Sequence, residues 1–253
     1  MIATKNYLKA QSLEQAYQVL TEKRSNKIIG GMLWLRQSRQ YVNTMIDLKD
    51  LDLDKIQDTG SAIELGAMVT LRQIETSPLI RQYFPGLAKS TEHIVGVQFR
   101  NLATIGGSVF SRFGFSNLVT ALLPLDVEVK LFQGGSVSLE AFNQMPMKKD
   151  ILVSISIKKN AVASYHHSLH HSSADFPIIT VGAACVADEV RIAIGARPRR
   201  PILWRFRKEG LDIGQVLTTI NEGTRYGTNS RGGAQYRKQM ADVLIRQYLE
   251  EQL

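Results

Sequence analysis

Two glycine doublets, each entered from an apolar run, constrain this chain most: Lys27-Ile28-Ile29-Gly30-Gly31 and Gln98-Phe99-Arg100-Asn101-Leu102-Ala103-Thr104-Ile105-Gly106-Gly107-Ser108. Adjacent residues without Cβ atoms let the backbone turn with positive φ and approach a ligand closely. Exposed amides in such a turn make an anion nest. Two such loops converging would hold the two phosphates of a dinucleotide, whereas either alone is equally an ordinary turn. No G-x-G-x-x-G follows a strand and no Walker lysine loop occurs, so a Rossmann site is not supported.

Ser12-Leu13-Glu14-Gln15 reads as a capping box, with Leu13, Ala16, Tyr17 and Leu20 forming one apolar helical face. Lys27-Ile28-Ile29 is a short strand, and 42–46 and 61–65 are further strand candidates. A helix starts near Thr70, and others lie between Pro78 and His93. Alternation predicts strands over 126–132, with Val127, Val129 and Leu131 on one face, and over 151–158, with Ile151, Val153, Ile155 and Ile157 on one face. Lys159-Asn160 looks like a hinge. Beyond it, 178–187 and 190–196 form a strand pair with Asp188-Glu189 as the turn. The tail 233–253 is helical, with Tyr236, Met240, Val243, Leu244 and Tyr248 at helical spacing. Strands and helices without a regular βαβ rhythm argue for an α+β fold and against a doubly wound one.

At 253 residues the chain can hold one to two domains and bury a core without disulfides. Its single cysteine, Cys185, excludes an intramolecular disulfide and any multi-cysteine iron–sulfur or metal site. No apolar run approaches the ~18 residues that span a bilayer, and the stretch from Met1 to Asn6 has no signal-peptide core. The expectation is a cytoplasmic protein with no membrane partner. The formal charge of +8 permits nucleic acid, an anionic cofactor or an acidic partner. No nucleic-acid recognition motif accompanies it. Cationic residues concentrate only at Arg197-Pro198-Arg199-Arg200, with Arg205, Arg207 and Lys208 beyond, which is a candidate docking surface or a solvated face. His166, His167, His170 and His171 include i, i+4 pairs that would suit a metal on a helix. Ala163-Ser164-Tyr165 reads as a strand, so surface histidines and no metal are expected.

Several segments match one known family in order: Ser12 to Leu20, Ile28-Ile29-Gly30-Gly31, Ile63 to Thr70, Val97 to Gly107, Leu122 to Val129, and Ser230-Arg231-Gly232-Gly233-Ala234-Gln235-Tyr236-Arg237. Over nearly its whole length the sequence resembles the FAD-binding (medium) subunit of the molybdenum hydroxylases, the xanthine dehydrogenase and carbon monoxide dehydrogenase family. The resemblance implies a FAD-binding fold of the vanillyl-alcohol oxidase type over 1–158, with α/β subdomains of about 1–55 and 56–158. A C-terminal α+β domain, with a small antiparallel sheet and helices, would then cover 159–253. It implies FAD held by Ile29, Gly30, Gly31, Met32 and Leu33 in a first loop, by Thr104, Ile105, Gly106, Gly107 and Ser108 in a second, and by Asn117.

It also places Ser173 to Ile178 near the flavin ring. There Asp175 would cap the loop, and Phe176 either packs on the ring or belongs to the core. No catalytic residue is implied. The implied role is an electron relay: FAD receives electrons from [2Fe-2S] clusters of an iron–sulfur subunit, fed by a molybdopterin subunit, and passes them to NAD+ or another acceptor. The chain departs from the family at Met32-Leu33, at Ser108 and at Asn117, where the family commonly has polar or acidic residues. The departures at Met32, Leu33 and Asn117 keep open an adaptor or assembly subunit that has lost FAD. Net charge alone keeps open a nucleic-acid binder.

Overall fold

The structure is a computed structural model that describes residues 3–252. Met1, Ile2 and Leu253, which end the N-terminal stretch and the helical tail read from sequence, lie outside the described residues. The chain opens with β1 (Ala3–Lys9), α1 (Leu13–Glu22), β2 (Lys27–Ile29), β3 (Tyr41–Asp47), β4 (Ile56–Asp58) and β5 (Ala62–Gly66). Short helices follow: α2 (Leu71–Thr76), α3 (Pro78–Tyr83), α4 (Pro85–Glu92), α5 (Val97–Arg100), α6 (Ile105–Phe110) and α7 (Asn117–Leu122). Then come β6 (Val127–Leu131), β7 (Gly135–Ser138), α8 (Leu139–Gln144), β8 (Leu152–Lys158) and β9 (Ala161–Leu169). The chain closes with β10 (Ile179–Val186), β11 (Glu189–Gly195), β12 (Ile202–Arg207), α9 (Ile213–Gly223) and α10 (Ala234–Gln252).

These elements form two compact units. One is the chain up to Gln73 with Val97–Ser111 and Val127–Ile157; the other is Ile74–Gly96, Arg112–Asp126 and the chain from Lys158. The second unit thus takes in two segments that chain order alone assigns to the first domain.

The first unit carries a parallel sheet, β1-β3-β2, and a five-stranded sheet, β4-β5-β8-β6-β7. Ser12 caps α1 by accepting from the Gln15 N–H at 3.1 Å, and the Gln15 side chain reaches back to accept from the Gln11 N–H at 2.7 Å. Ala16 and Leu20 of α1 then bury against Ile46, Leu48 and Ile151. β1, α1 and β2 make one βαβ crossover that the sequence reading lacks, because β1 is almost wholly exposed and shows no apolar alternation. In β8 the buried face is less regular than its alternation suggests: Ser154 is also buried and donates to Glu64 Oε1 at 2.6 Å.

The second unit is built on an antiparallel sheet, β12-β11-β10-β9. β10 is buried along its whole length because both faces are covered. Ile179, Val181, Ala183 and Cys185 face the core completed by Val216, Leu217 and Ile220 of α9 and by Ala241, Leu244 and Ile245 of α10. The alternate residues face α7; a Cβ on Gly182 would stand 2.2 Å from the Thr120 carbonyl oxygen.

Two expectations shift by small, explicable amounts. The β10–β11 turn is Ala187-Asp188, not Asp188-Glu189, since Glu189 pairs with Val186 and Ala187 takes a φ of +54°. The buried face of α10 is Arg237, Ala241, Leu244, Ile245, Tyr248 and Leu249, leaving Tyr236 and Val243 exposed. An arginine holds a core position there, which a purely apolar reading of the helix misplaces.

Candidate functional site

In the first unit the two glycine doublets meet. A Cβ on Gly30 would lie 2.7 Å from Thr104 Oγ1, and one on Gly31 would lie 1.8 Å from the Leu102 carbonyl oxygen. A Cβ on Gly106 would fall 2.6 Å from the Ala67 carbonyl oxygen. Only glycine permits these approaches, so Gly30 lies against Thr104 and Gly107, Gly31 against Leu102, and Gly106 against Ala67.

The doublets differ in what they offer a ligand. Gly106 and Gly107 belong to α6 and have no positive φ. The α6 amides are already committed: Ile105 N–H donates to Val69 O at 2.8 Å, Gly106 N–H to Ala67 O at 2.9 Å, Gly107 N–H to Thr104 Oγ1 at 3.1 Å and Ser108 N–H to Thr104 O at 3.0 Å. The second loop is therefore not an amide nest, and Ser108 Oγ also turns inward to Thr104 O. In the first loop Gly31 and Met32 take φ of +73° and +60°. Among the described residues, the N–H groups of Gly31, Met32 and Leu33 meet no protein acceptor. Leu33 is 5% exposed and Met32 packs on Ile29, Val42 and Met45, so these side chains serve the core while their amides remain open.

Beside the loops lies an open cavity of about 580 Å³, lined by residues of the first unit. Ile28, Leu48, Met68, Phe110 and Met147 give it apolar walls; Gly30, Thr104, Gly106 and Gly107 line it as well, whereas Gly31, Met32 and Leu33 do not, and Arg24, Lys27 and Lys148 add positive charge. Lys149 Nζ donates to Leu20 O at 2.6 Å and to the Lys23 carbonyl, tying the end of α1 to the 147–152 segment. Burial, then the charge of Lys27, pushes the Lys149 pKa down. Sequence reading missed these wall residues. They come from five separated stretches and carry no shared motif.

The remaining candidates lie in the second unit. Asn117 opens α7, where the Ser116 side chain accepts from Val119 N–H. It is 5% exposed and its Oδ1 has no hydrogen-bond partner. A buried acceptor left so is costly unless a donor arrives. Phe176 packs edge-on against Phe115 with centroids 4.8 Å apart and lies under the Arg231 guanidinium at 4.8 Å. Asp175 Oδ1 accepts from Phe176 N–H at 2.7 Å and pairs with Arg231, whose hydrogen bond, with that of the backbone, holds the Asp175 carboxyl below its usual range.

The histidine run divides. His166 is buried on β9 and bonded to Thr180 Oγ1 at 2.8 Å, with burial pushing its pKa down to about 3, so it is not a surface histidine. His170 Nδ1 meets Asp175 O at 2.7 Å, and His171 Nε2 meets Arg231 O at 2.8 Å. Among the described residues no group of three or more His, Cys, Asp or Glu side chains is placed to hold a metal. None of their helices is long and apolar enough to cross a membrane.

Comparison with known proteins bears on this arrangement. A family model described as "FAD binding domain in molybdopterin dehydrogenase" matches residues 3–158. The uncharacterized protein YgfM of Escherichia coli K12 is 24% identical over 244 residues, covering 94% of this chain and 93% of the relative. The putative xanthine dehydrogenase FAD-binding subunit XdhB of the same organism is 24% identical, over 78% of this chain and 75% of its own. Among solved structures, quinoline 2-oxidoreductase from Pseudomonas putida 86 superposes with a TM-score of 0.85 at 20% identity, covering 99% of this chain and 96% of that one.

Proposed function

The chain belongs to the family of FAD-binding domains of molybdopterin dehydrogenases, and from that premise we propose that it is the electron-transfer subunit of a molybdenum hydroxylase complex. It is an oxidoreductase subunit, and its cofactor is FAD. When bound, FAD supplies the capacity to collect electrons singly and release them in pairs. The observation that carries the proposal is the meeting of the glycine doublets, with Gly30, Gly106 and Gly107 lining the 580 Å³ cavity and the neighbouring Gly31, Met32 and Leu33 amides open.

In this reading the first-loop amides bind the pyrophosphate, and Thr104 and Gly107 keep the second loop close. Arg24, Lys27 and Lys148 balance phosphate charge, and the apolar walls exclude water from the nucleotide. In the second unit Asn117 Oδ1 is an acceptor for a cofactor hydroxyl, and Asp175 and Phe176 are candidate contacts to the ring. The finer description is also ours: a vanillyl-alcohol oxidase type of FAD-binding domain over 1–158, a C-terminal domain from 159, and a cytoplasmic location. The proposed partners are separate iron–sulfur and molybdopterin subunits, with NAD+ or another acceptor receiving the electrons.

The rival reading, a FAD-deficient adaptor, drew on Met32, Leu33 and Asn117. The first two side chains face the core, so their apolarity does not remove a polar contact from the open amides. An absorbance spectrum of the purified chain tests the proposal. Flavin bands near about 370 and about 450 nm are expected. Their absence even after FAD addition favours the adaptor.

A further inference from the structure

The turn after β11 gathers like charges that the proposed flavin role does not use. Ala196 N–H donates to Gly114 O at 2.7 Å, and a Cβ on Gly114 would stand 2.4 Å from the Arg199 carbonyl oxygen, so the 112–114 loop presses on one side of the turn. On the other side Arg197 Nη1 donates to Arg225 O at 2.8 Å, and Gly227 N–H donates to Arg197 O at 3.2 Å. Three chain segments thereby bring Arg112, Arg197, Arg199, Arg200 and Arg225 together within the second unit.

The backbone there is unusual for residues with side chains: Arg112 and Ala196 take φ of +50° and +54°. Such conformations cost energy and gather at functional sites. Burial, then the charge of Arg200, lowers the Arg112 pKa; burial, then Arg199, lowers that of Arg197. Two donors at the centre lack acceptors. Arg197 Nε and Tyr226 OH are both buried without a hydrogen-bond partner, and the two groups feel each other's charge. The carboxylate whose charge Tyr226 feels is Asp242, which accepts from Asn221 Nδ2 at 2.9 and 3.1 Å.

We propose that this turn is an oxyanion site, taking the phosphate group of a small phosphate monoester, with Arg197 Nε and Tyr226 OH as floor donors and Arg199 and Arg225 as the exposed rim. A phosphate supplies two negative charges and several acceptor oxygens. It can meet a planar guanidinium fork and a phenol at once, which a chloride ion cannot.

The test uses the full chain with saturating FAD, so that the first-loop amides are not the phosphate site being read. Thermal unfolding is followed against inorganic phosphate and against glycerol 2-phosphate, each compared with sodium chloride at matched ionic strength. A saturable rise in Tm with the phosphates and not with chloride is expected, and tighter binding of glycerol 2-phosphate than of free phosphate marks the ester as the ligand. Tyr226→Phe and the double variant Arg199→Gln with Arg225→Gln, which alters only exposed side chains, should each raise the phosphate midpoint about tenfold. Equal responses to phosphate and chloride, a response abolished by FAD, or unchanged midpoints in both variants would overturn the site.

Discussion

Gly107 shows how a single residue can matter for a reason other than backbone freedom. Its φ is not positive, so the usual argument for glycine fails here. A Cβ on it would lie 3.2 Å from Thr104 Oγ1 and 3.4 Å from Gly30 O, in the seam between the loops. The two further methyl groups of valine would enlarge that wedge. Gly107→Val is expected to fold but to lose FAD, as read by circular dichroism beside a FAD titration; a variant that binds like the parent would remove the pyrophosphate from these loops. Asn117 is the opposite case, a polar atom awaiting a partner. Asn117→Asp puts charge on an oxygen that has no donor in the protein alone, so the apoprotein should lose about 1 kcal/mol while FAD binding strengthens by a similar ~1 kcal/mol. Melting curves with and without FAD separate the two signs. Weaker FAD binding by the Asp form would mean that this position does not face a cofactor hydroxyl.

Among the elements, β10 and α10 are held by one buried side chain. Arg237, 1% exposed, donates to the Ile178 carbonyl, to Ala196 O at 2.7 Å and to Asn229 Oδ1, linking the start of β10, the end of β11 and the turn before α10. Arg237→Met fills similar space but strands two buried carbonyls, so a loss of roughly 3 kcal/mol in denaturant unfolding is expected. The Arg191–Asp126 pair adds a pH dependence. Burial opposes ionisation of Asp126, but hydrogen bonds from Arg191 and Asn160 outweigh it and hold its pKa below the usual value. A carboxyl depressed by folding contributes stability above its unfolded pKa, about 4, and loses it as pH falls through the folded value. Asp126→Asn should therefore be less stable than the parent near neutrality, and the gap should close in strong acid. Denaturant midpoints across that range check it, and a gap independent of pH would rule out the linkage.

Elements with strong local signals were legible in the sequence: the capped α1, the β6 and β8 alternations, and the long tail helix. β1 was not, because an exposed strand has no pattern to read. The face of α10 was legible only in part: Met240, Leu244 and Tyr248 pack on the core, but a hydrogen-bonded arginine also occupies it, and Tyr236 and Val243 are exposed. The glycine loops of the site were visible as a motif. Their unequal amides were not, since those depend on which distant carbonyls, Ala67 and Val69, already accept from α6.

Taken as a whole molecule, the chain has the means to hold a flavin but not to feed it. A [2Fe-2S] cluster takes about four cysteine ligands, and the one cysteine, Cys185, is buried in the sheet core beside Tyr248 OH at 3.5 Å. Among the described residues the candidate site offers glycines, open amides, Arg24 and lysines, and its one lining carboxylate, Asp150, is engaged by the Gln133, Gly134 and Ile151 N–H groups. In the proposed relay, electrons therefore cross a protein interface to reach this chain. The purified chain is expected to oxidise no substrate and, with FAD bound, to show at most slow electron transfer from NADH to a dye. Co-expression with iron–sulfur and molybdopterin subunits should yield a stable complex with substrate-dependent turnover, measured after co-purification. Turnover of a hydroxylase substrate by this chain with FAD alone would refute the relay, because it would require a reacting centre that its own side chains do not provide.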